Sequence, residues 1–248
     1  MYNIQQFFDP IRKISSDLPY NEISPLIEMC DLFSRANNIS AYIIDYATER
    51  FLHVSPHPLF LSGYTAEEVK EMSYTFYEKV VSPQEIQMLL EINKMGWEFF
   101  YRLSLKERLL LRISYSFYLH HQNGKKKLIH HKLVPMQLAA DGNLWLAICF
   151  VSNSPHKEPG NVVFTTSNKN EYYRYDFENQ KIITYTPEEL TFREIEIFNL
   201  TMRGYEEPQI AEQLKISPYT IKSHRRKIIK KLGANNLSNA VAIFNSMF

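Results

Sequence analysis

The sequence predicts an α+β chain, in which an antiparallel sheet interleaved with helices is followed by an all-α section of four helices. Three observations predict it. Two short β-rich runs precede a helical middle and three longer β-rich runs follow it, so strands and helices are grouped rather than strictly alternating. From Pro187 onward the periodicity is wholly helical. Within residues 215–231, seven Lys and Arg stand without a single Asp or Glu, although the whole chain balances 28 basic residues against 27 acidic ones. Positive charge therefore belongs to one element, and an anionic partner would be met by that element rather than by the surface at large.

At 248 residues and 45% hydrophobic content the chain has enough material for one large domain or two ordinary ones. Cys30 and Cys149 lie far apart and in no CxxC or metal-ligand spacing, which excludes a disulfide scaffold and points to a reducing, cytoplasmic setting. The opening "MYNIQQFFDP" lacks the basic and long apolar segments of a secretion signal. The longest apolar run, Leu144 to Val151, is too short to cross a bilayer, so no membrane partner is expected.

Residues 1–36 form an N-terminal helical segment, with Ile23, Leu26, Ile27, Met29, Cys30 and Phe33 spaced for one amphipathic helix. "ISAYIID" and "RFLHV" then read as a hairpin across "YATE". In "SPQE", Ser82 caps a helix, Pro83 takes its first position and Glu85 stands three residues after the cap, with the helix running to about Phe100. Three β-rich segments follow, divided by "QNGK" and "ADGN", each holding an X-Gly pair suited to a hairpin turn. This sheet region covers residues 37–153. The polar stretch "SPHKEPGN" opens a connector, 154–186, which holds one more hairpin around residues 178–180.

Residues 187–248 carry the helices. Thr191 caps the first, with Glu194 at the capping-box position, Leu190 stapling onto Ile195, and Ile195, Phe198 and Met202 on one face. Gly204 stops it. A short helix over "PQIAEQL" turns Ile210, Ala211 and Leu214 inward. Ser217 caps a third helix with Pro218 at its first position, and a fourth begins near Asn236. On a wheel at about 100° per residue, Ile221, Ile228 and Leu232 of the third helix form a buried seam. Tyr219, Ser223, Arg226 and Lys230 fall opposite, flanked by Lys222 and Lys227, while Arg225 and Lys231 lean toward the seam. A short helix, a tight turn and a capped basic helix make a helix-turn-helix, whose second helix suits the DNA major groove.

From Leu190 to about Val241 the chain resembles the C-terminal DNA-binding domain of the LuxR family, the GerE-type four-helix helix-turn-helix. The match is carried by "LTFRE", Gly204, "QIAEQL", "IS", "TIKSHRRKI", "KLG" and "AV". The resemblance implies that Lys222, Ser223 and Arg226 face bases and that Thr220 and nearby basic residues meet phosphates. The DNA-binding set it implies is Ser217, Tyr219, Thr220, Lys222, Ser223, Arg226, Lys227 and Lys230. It also implies a dimer through the fourth helix, with Val241 and Phe244 as contacts. His224 is read as packing or phosphate contact. Two positions depart from the family pattern: Lys215 stands where Gly is usual in the turn, and Glu206 and Glu207 stand where Ser or Thr usually caps the second helix.

The strand, strand, helices, three-strand order over residues 37–153 resembles a PAS domain, particularly at "SGYTAEEV", "HHQNGKKKLIHHKLVPM" and "DGNLWLAICFV". Ser55 stands where Asn is common. PAS domains sense signals or bind partners, so a small-molecule ligand fits the resemblance, with Phe60, Tyr64, Phe76, Tyr77 and strand aromatics as candidate lining. No cofactor is evident. The histidines at 53, 57, 120, 121, 130 and 131 read as structural or solvent-facing rather than metal-binding. No Gly-rich phosphate loop, HExxH or nucleophile elbow appears, so no enzyme is expected. The expected function is a dimeric, sequence-specific transcription regulator that binds double-stranded DNA and contacts RNA polymerase. An acyl-homoserine-lactone-type receptor and a protein-interaction adaptor that no longer binds DNA are the alternatives.

Overall fold

The strands predicted around the helical middle all form, and local side-chain chemistry sets where each begins and ends. The structure, a computed structural model, describes residues 3–14, 18–166 and 171–247, with side chains to residue 244. Parts of two expected segments, 1–2 and 15–17 in the first and 167–170 in the connector, lie outside the described residues, as does 248. By contacts the chain divides into two compact units: residues 1–167 with 174–182, and residues 168–173 with 183–248.

In the first unit, β1 (Ser40–Asp45) and β2 (Arg50–Val54) pair antiparallel. Asp45 closes their turn by accepting from the Ala47 N–H at 3.0 Å and the Thr48 hydroxyl at 2.8 Å. The helical middle comprises α2 (Pro58–Leu61), α3 (Ala66–Met72), α4 (Thr75–Val80), α5 (Pro83–Arg102) and α6 (Leu105–Arg108), which are numbered after α1 (Ser24–Asn37). β3 (Arg112–His120), β4 (Lys126–Leu138) and β5 (Leu144–Asn153) follow. The Ser82 hydroxyl caps α5 by accepting from the Glu85 N–H, and Glu85 in turn accepts the Tyr118 N–H of β3 at 2.8 Å. The capping device thus also fastens the helix to the sheet.

The polar stretch after β5 leads into β6 (Gly160–Thr165), a strand with no counterpart in the sequence reading, which pairs with β3 through Ile113 opposite Phe164 and Ser114 opposite Val163. The anticipated hairpin is β7 (Tyr172–Asp176) and β8 (Lys181–Tyr185). The full strand order is β2-β1-β5-β4-β3-β6-β7-β8. Its first five strands with their helices form the PAS-like sheet, with β1 paired to both β2 and β5, and β4 to both β3 and β5, all antiparallel.

The N-terminal segment is less helical than expected: short 3₁₀ turns at Ile4–Phe7 and Tyr20–Glu22 precede α1. Cys30 is fully buried and Leu26 and Ile27 pack beside it, but Met29 and Phe33, expected on the same face, are 47% and 45% exposed. They lie about 60–100° around the helix from Cys30, which is enough to miss the sheet. Cys30 and Cys149 are both buried and unpaired.

The second unit contains α7 (Phe192–Met202), α8 (Glu207–Leu214), α9 (Pro218–Lys231) and α10 (Leu237–Met247) around Ile197, Phe198, Leu200, Ile210, Ala211, Ile221, Ile228, Leu232 and Ala240. The inward face of α7 differs from the expected one. Phe198 is buried and Met202 partly so, but Ile195 is 40% exposed and its place is taken by Ile197 with Glu194. Glu194, Ile197, Phe198 and Thr201 follow the i, i+3, i+4, i+7 rule, and a capped carboxylate holds the first of those positions.

Candidate nucleic-acid interface

The turn between α8 and α9 is built on Lys215, whose backbone is left-handed (φ 53°, ψ 44°). The conformation lets the Lys215 N–H reach Glu212 O at 3.2 Å and the Ile216 N–H reach Ala211 O at 3.0 Å, which satisfies the carbonyls at the end of α8. A side chain there costs about 1 kcal/mol relative to glycine. The N-terminus of α8 solves its missing Ser or Thr differently: the Glu206 N–H donates to the Gln209 side chain at 2.8 Å. Ser217 caps α9, its hydroxyl accepting from the Thr220 N–H at 3.1 Å and lying 2.8 Å from the Thr220 hydroxyl.

From this start α9 sorts its residues by face. Ile221, Ile228 and Leu232 are buried, as the wheel requires. Lys222, Arg226, Lys227 and Lys230 are exposed, Tyr219 is 81% exposed, and Thr220 and Ser223 are half-buried on the rim. Two further bases are used inside the unit. Arg225 donates from Nε to the Thr201 hydroxyl at 3.1 Å and from a terminal nitrogen to Tyr205 O at 2.9 Å, and it pairs with Glu207 at 3.5 Å. One planar guanidinium thereby ties α9 to the end of α7, the following turn and the start of α8. Lys231 pairs with the nearly buried Glu194 at 2.7 Å and donates to Glu189 O at 3.1 Å. Burial pushes the Glu194 carboxyl up, but the Lys231 ammonium and the N–H and hydroxyl of Thr191 outweigh it and hold the group below its ordinary range.

His224 is half-buried, with a buried Nδ1 that lacks a hydrogen-bond partner among the described residues. Val241 and Phe244 pack partly into their own unit, Phe244 edge-on against Phe198 with ring centroids 5.2 Å apart.

The first unit holds a cavity of about 60 Å³ between the sheet and α5, walled by aromatic rings including Tyr42, Tyr46, Tyr74, Tyr77, Tyr115 and Trp97. No lining side chain is an Asp, Glu, Lys or Arg. Of the four expected lining residues only Tyr77 faces it; Phe60 and Phe76 are fully buried beside it in the aromatic core. Of the strand aromatics, Tyr42 and Tyr115 join the lining, and His131, expected to be structural or solvent-facing, joins it too. The Tyr42 hydroxyl lies 2.7 Å from both the Tyr77 hydroxyl and His131 Nε2, while His131 Nδ1 is buried without a hydrogen-bond partner among the described residues. Burial, reinforced by His130, lowers His131 to about 3, so the ring is neutral. Among the described residues no group of three or more His, Cys, Asp or Glu could hold a metal ion, and no helix is long and apolar enough to cross a membrane.

Residues 188–244 match the model of the bacterial regulatory proteins, luxR family. No curated protein matches the chain. Among solved structures, the VqmA dimer of Vibrio cholerae, described as a LuxR-type receptor, is 16% identical, with 89% of this chain and 87% of that chain covered at a TM-score of 0.31. A phage VqmA–DPO complex is 17% identical over 91% and 87% of the two chains, at 0.29. The N-terminal domain of a diguanylate cyclase with a PAS/PAC sensor from Marinobacter aquaeolei is 15% identical over 46% and 94%, at 0.32. The family match covers the span in which Lys215 turns the chain and α9 displays its bases. Residues 188–244 are accordingly a helix-turn-helix domain of the luxR family of bacterial regulatory proteins, joined to a PAS-like sheet unit.

Proposed function

We propose that the chain regulates transcription by binding double-stranded DNA as a homodimer, with α9 entering the major groove. Lys222, Ser223 and Arg226 meet base edges, and Thr220, Lys227 and Lys230, with Ser217 and Tyr219 beside them, meet the phosphate backbone. The bound dimer contacts RNA polymerase. The observation that carries this reading is the division of charge on α9. Arg225 and Lys231 are held by partners within the unit, whereas Lys222, Arg226, Lys227 and Lys230 face solvent. A merely solvated helix face would mix the two signs of charge.

The PAS-like unit supplies the signal. Its cavity has uncharged, mostly aromatic walls that also carry Asn93, His131 and tyrosine hydroxyls, which supports a small uncharged ligand bearing a hydrogen-bonding atom. At about 60 Å³ it is smaller than the ~150 Å³ that holds a benzene ring, so such a ligand displaces side chains on entry, and an acylated lactone is disfavoured.

The decisive experiment compares Arg226→Ala with the wild type on a duplex selected by the wild-type protein and on random duplex. The expected result is a loss of about tenfold or more on the selected duplex and little change on the random one. Equal losses on both would remove the base-reading role. Failure of the wild type to bind any duplex at low salt would favour the adaptor reading.

A further inference from the structure

α1 has two apolar faces, and the sheet accounts for only one. Leu26, Ile27 and Cys30 pack onto the sheet, with Ser34 buried beside them. A second stripe runs through Pro25, Met29, Leu32 and Ala36, all exposed, at intervals of four, three and four residues. That is the 3.5-residue repeat of a coiled-coil seam. Leu32 is 52% exposed, Met29 and Phe33 nearly as much, and a shallow groove lined by Pro25, Glu28, Met29, Asp31, Leu32 and Arg35 follows the stripe. α10, the helix expected to dimerise, has no large exposed apolar side chain among its described residues.

The charges beside the stripe indicate what covers it. Asp31 is engaged by His53 at 2.7 Å. Glu28 and Arg35 flank the stripe on one edge, seven residues apart, and neither has an ion-pair partner among the described residues. Resting on the homodimer reading above, we propose that two copies of the chain associate through α1, antiparallel, with Met29 against the partner's Leu32. A two-fold axis between residues 30 and 31 produces that contact and sets Pro25 against the partner's Ala36. It also brings Glu28 within two residues' rise, about 3 Å, of the partner's Arg35 on the same edge of the seam. Two such ion pairs form per dimer, in the flanking positions that fix orientation in coiled coils. A parallel pairing instead sets Glu28 beside the partner's Phe33 and leaves both charges unmatched.

The test is sedimentation velocity on the full chain over a concentration series. Leu32→Glu should raise the dimer dissociation constant about 100-fold, since each dimer loses the contact twice. Its melting temperature at dilutions where the wild type is itself monomeric should stay unchanged, because Leu32 is half exposed in the single chain. Glu28→Arg and Arg35→Glu should each weaken the dimer about tenfold, and the two together should restore it. A wild type that stays monomeric with and without DNA would overturn the homodimer reading itself. A dimer that survives Leu32→Glu would overturn the α1 interface and leave that reading standing. Loss in both single variants without recovery in the double would overturn the antiparallel arrangement.

Discussion

His131 and the adjacent pair Arg225 and Arg226 show how strongly surroundings separate like residues. Arg225 is 15% exposed and fastened to three neighbours, while Arg226 is exposed. They differ by one position, which on a helix is about 100°. His131 is held neutral, its pKa lowered to about 3 by burial and His130, and His130 is lowered to about 4 by burial with His156 and Lys132 adding to it. The unfolded chain protonates such groups near pH 6.5, about three units above the folded His131, so between those values the unfolded state binds more protons. Stability therefore rises with pH across that window and falls as acid is added. Because His131→Gln cannot titrate, the variant should lose about 1.4 kcal/mol less stability per pH unit below 6.5 than the wild type. Both tryptophans of the chain, Trp97 and Trp145, lie in the sheet unit, so urea unfolding followed by tryptophan fluorescence from pH 7 to 4 reads this directly. Parallel pH profiles for the two proteins would refute it.

At the scale of elements, α9 is held by its seam and by two polar ties, of which Lys231 to Glu194 is the more buried. Lys231→Met leaves the Glu194 carboxylate nearly buried without its cation and should destabilise the helical unit by about 3 kcal/mol at neutral pH. Glu194 is held below its usual range, so its contribution is present above the unfolded value near 4.3 and is lost as pH falls through the folded value. The gap between wild type and variant should therefore narrow as pH falls below the ordinary carboxylate range, as read by urea unfolding in far-UV ellipticity; a gap that persists in acid would mean packing, not charge, is at stake. Much of this element was legible in the sequence. Helical periodicity gave Ile221, Ile228 and Leu232 and the lean of Arg225 and Lys231, and capping chemistry gave Ser82, Thr191 and Ser217. The partners of Arg225 were not, because Thr201, Tyr205 and Glu207 lie 18–24 residues away and meet it only through the fold. β6 escaped notice because a short apolar run after a Pro- and Gly-containing loop has no periodicity of its own. β1 is buried along its whole length, so alternation could not reveal that Tyr42 points into a cavity.

Over the whole molecule the formal charge is only +1, so in the proposed complex attraction to DNA has to come from one local ridge rather than from a net positive surface. That makes the salt dependence of binding a count of contacts, since each neutralised phosphate contributes about −0.9 to the slope of log K against log salt. Lys230 is exposed at the far end of the ridge from Ser217. As a phosphate contact its removal weakens selected and random duplex alike, unlike the loss of a base contact. The size of the change also reports stoichiometry. If two copies occupy the site, Lys230→Ala should flatten the slope by about 1.8, and if one copy does, by about 0.9. Titrations of the full chain at four or five salt concentrations distinguish these values. Repeating them with Leu32→Glu on a half-site should give the smaller value, because that variant separates the copies without touching α9. A slope that does not change would show that Lys230 meets no phosphate and that the DNA-facing ridge ends before it.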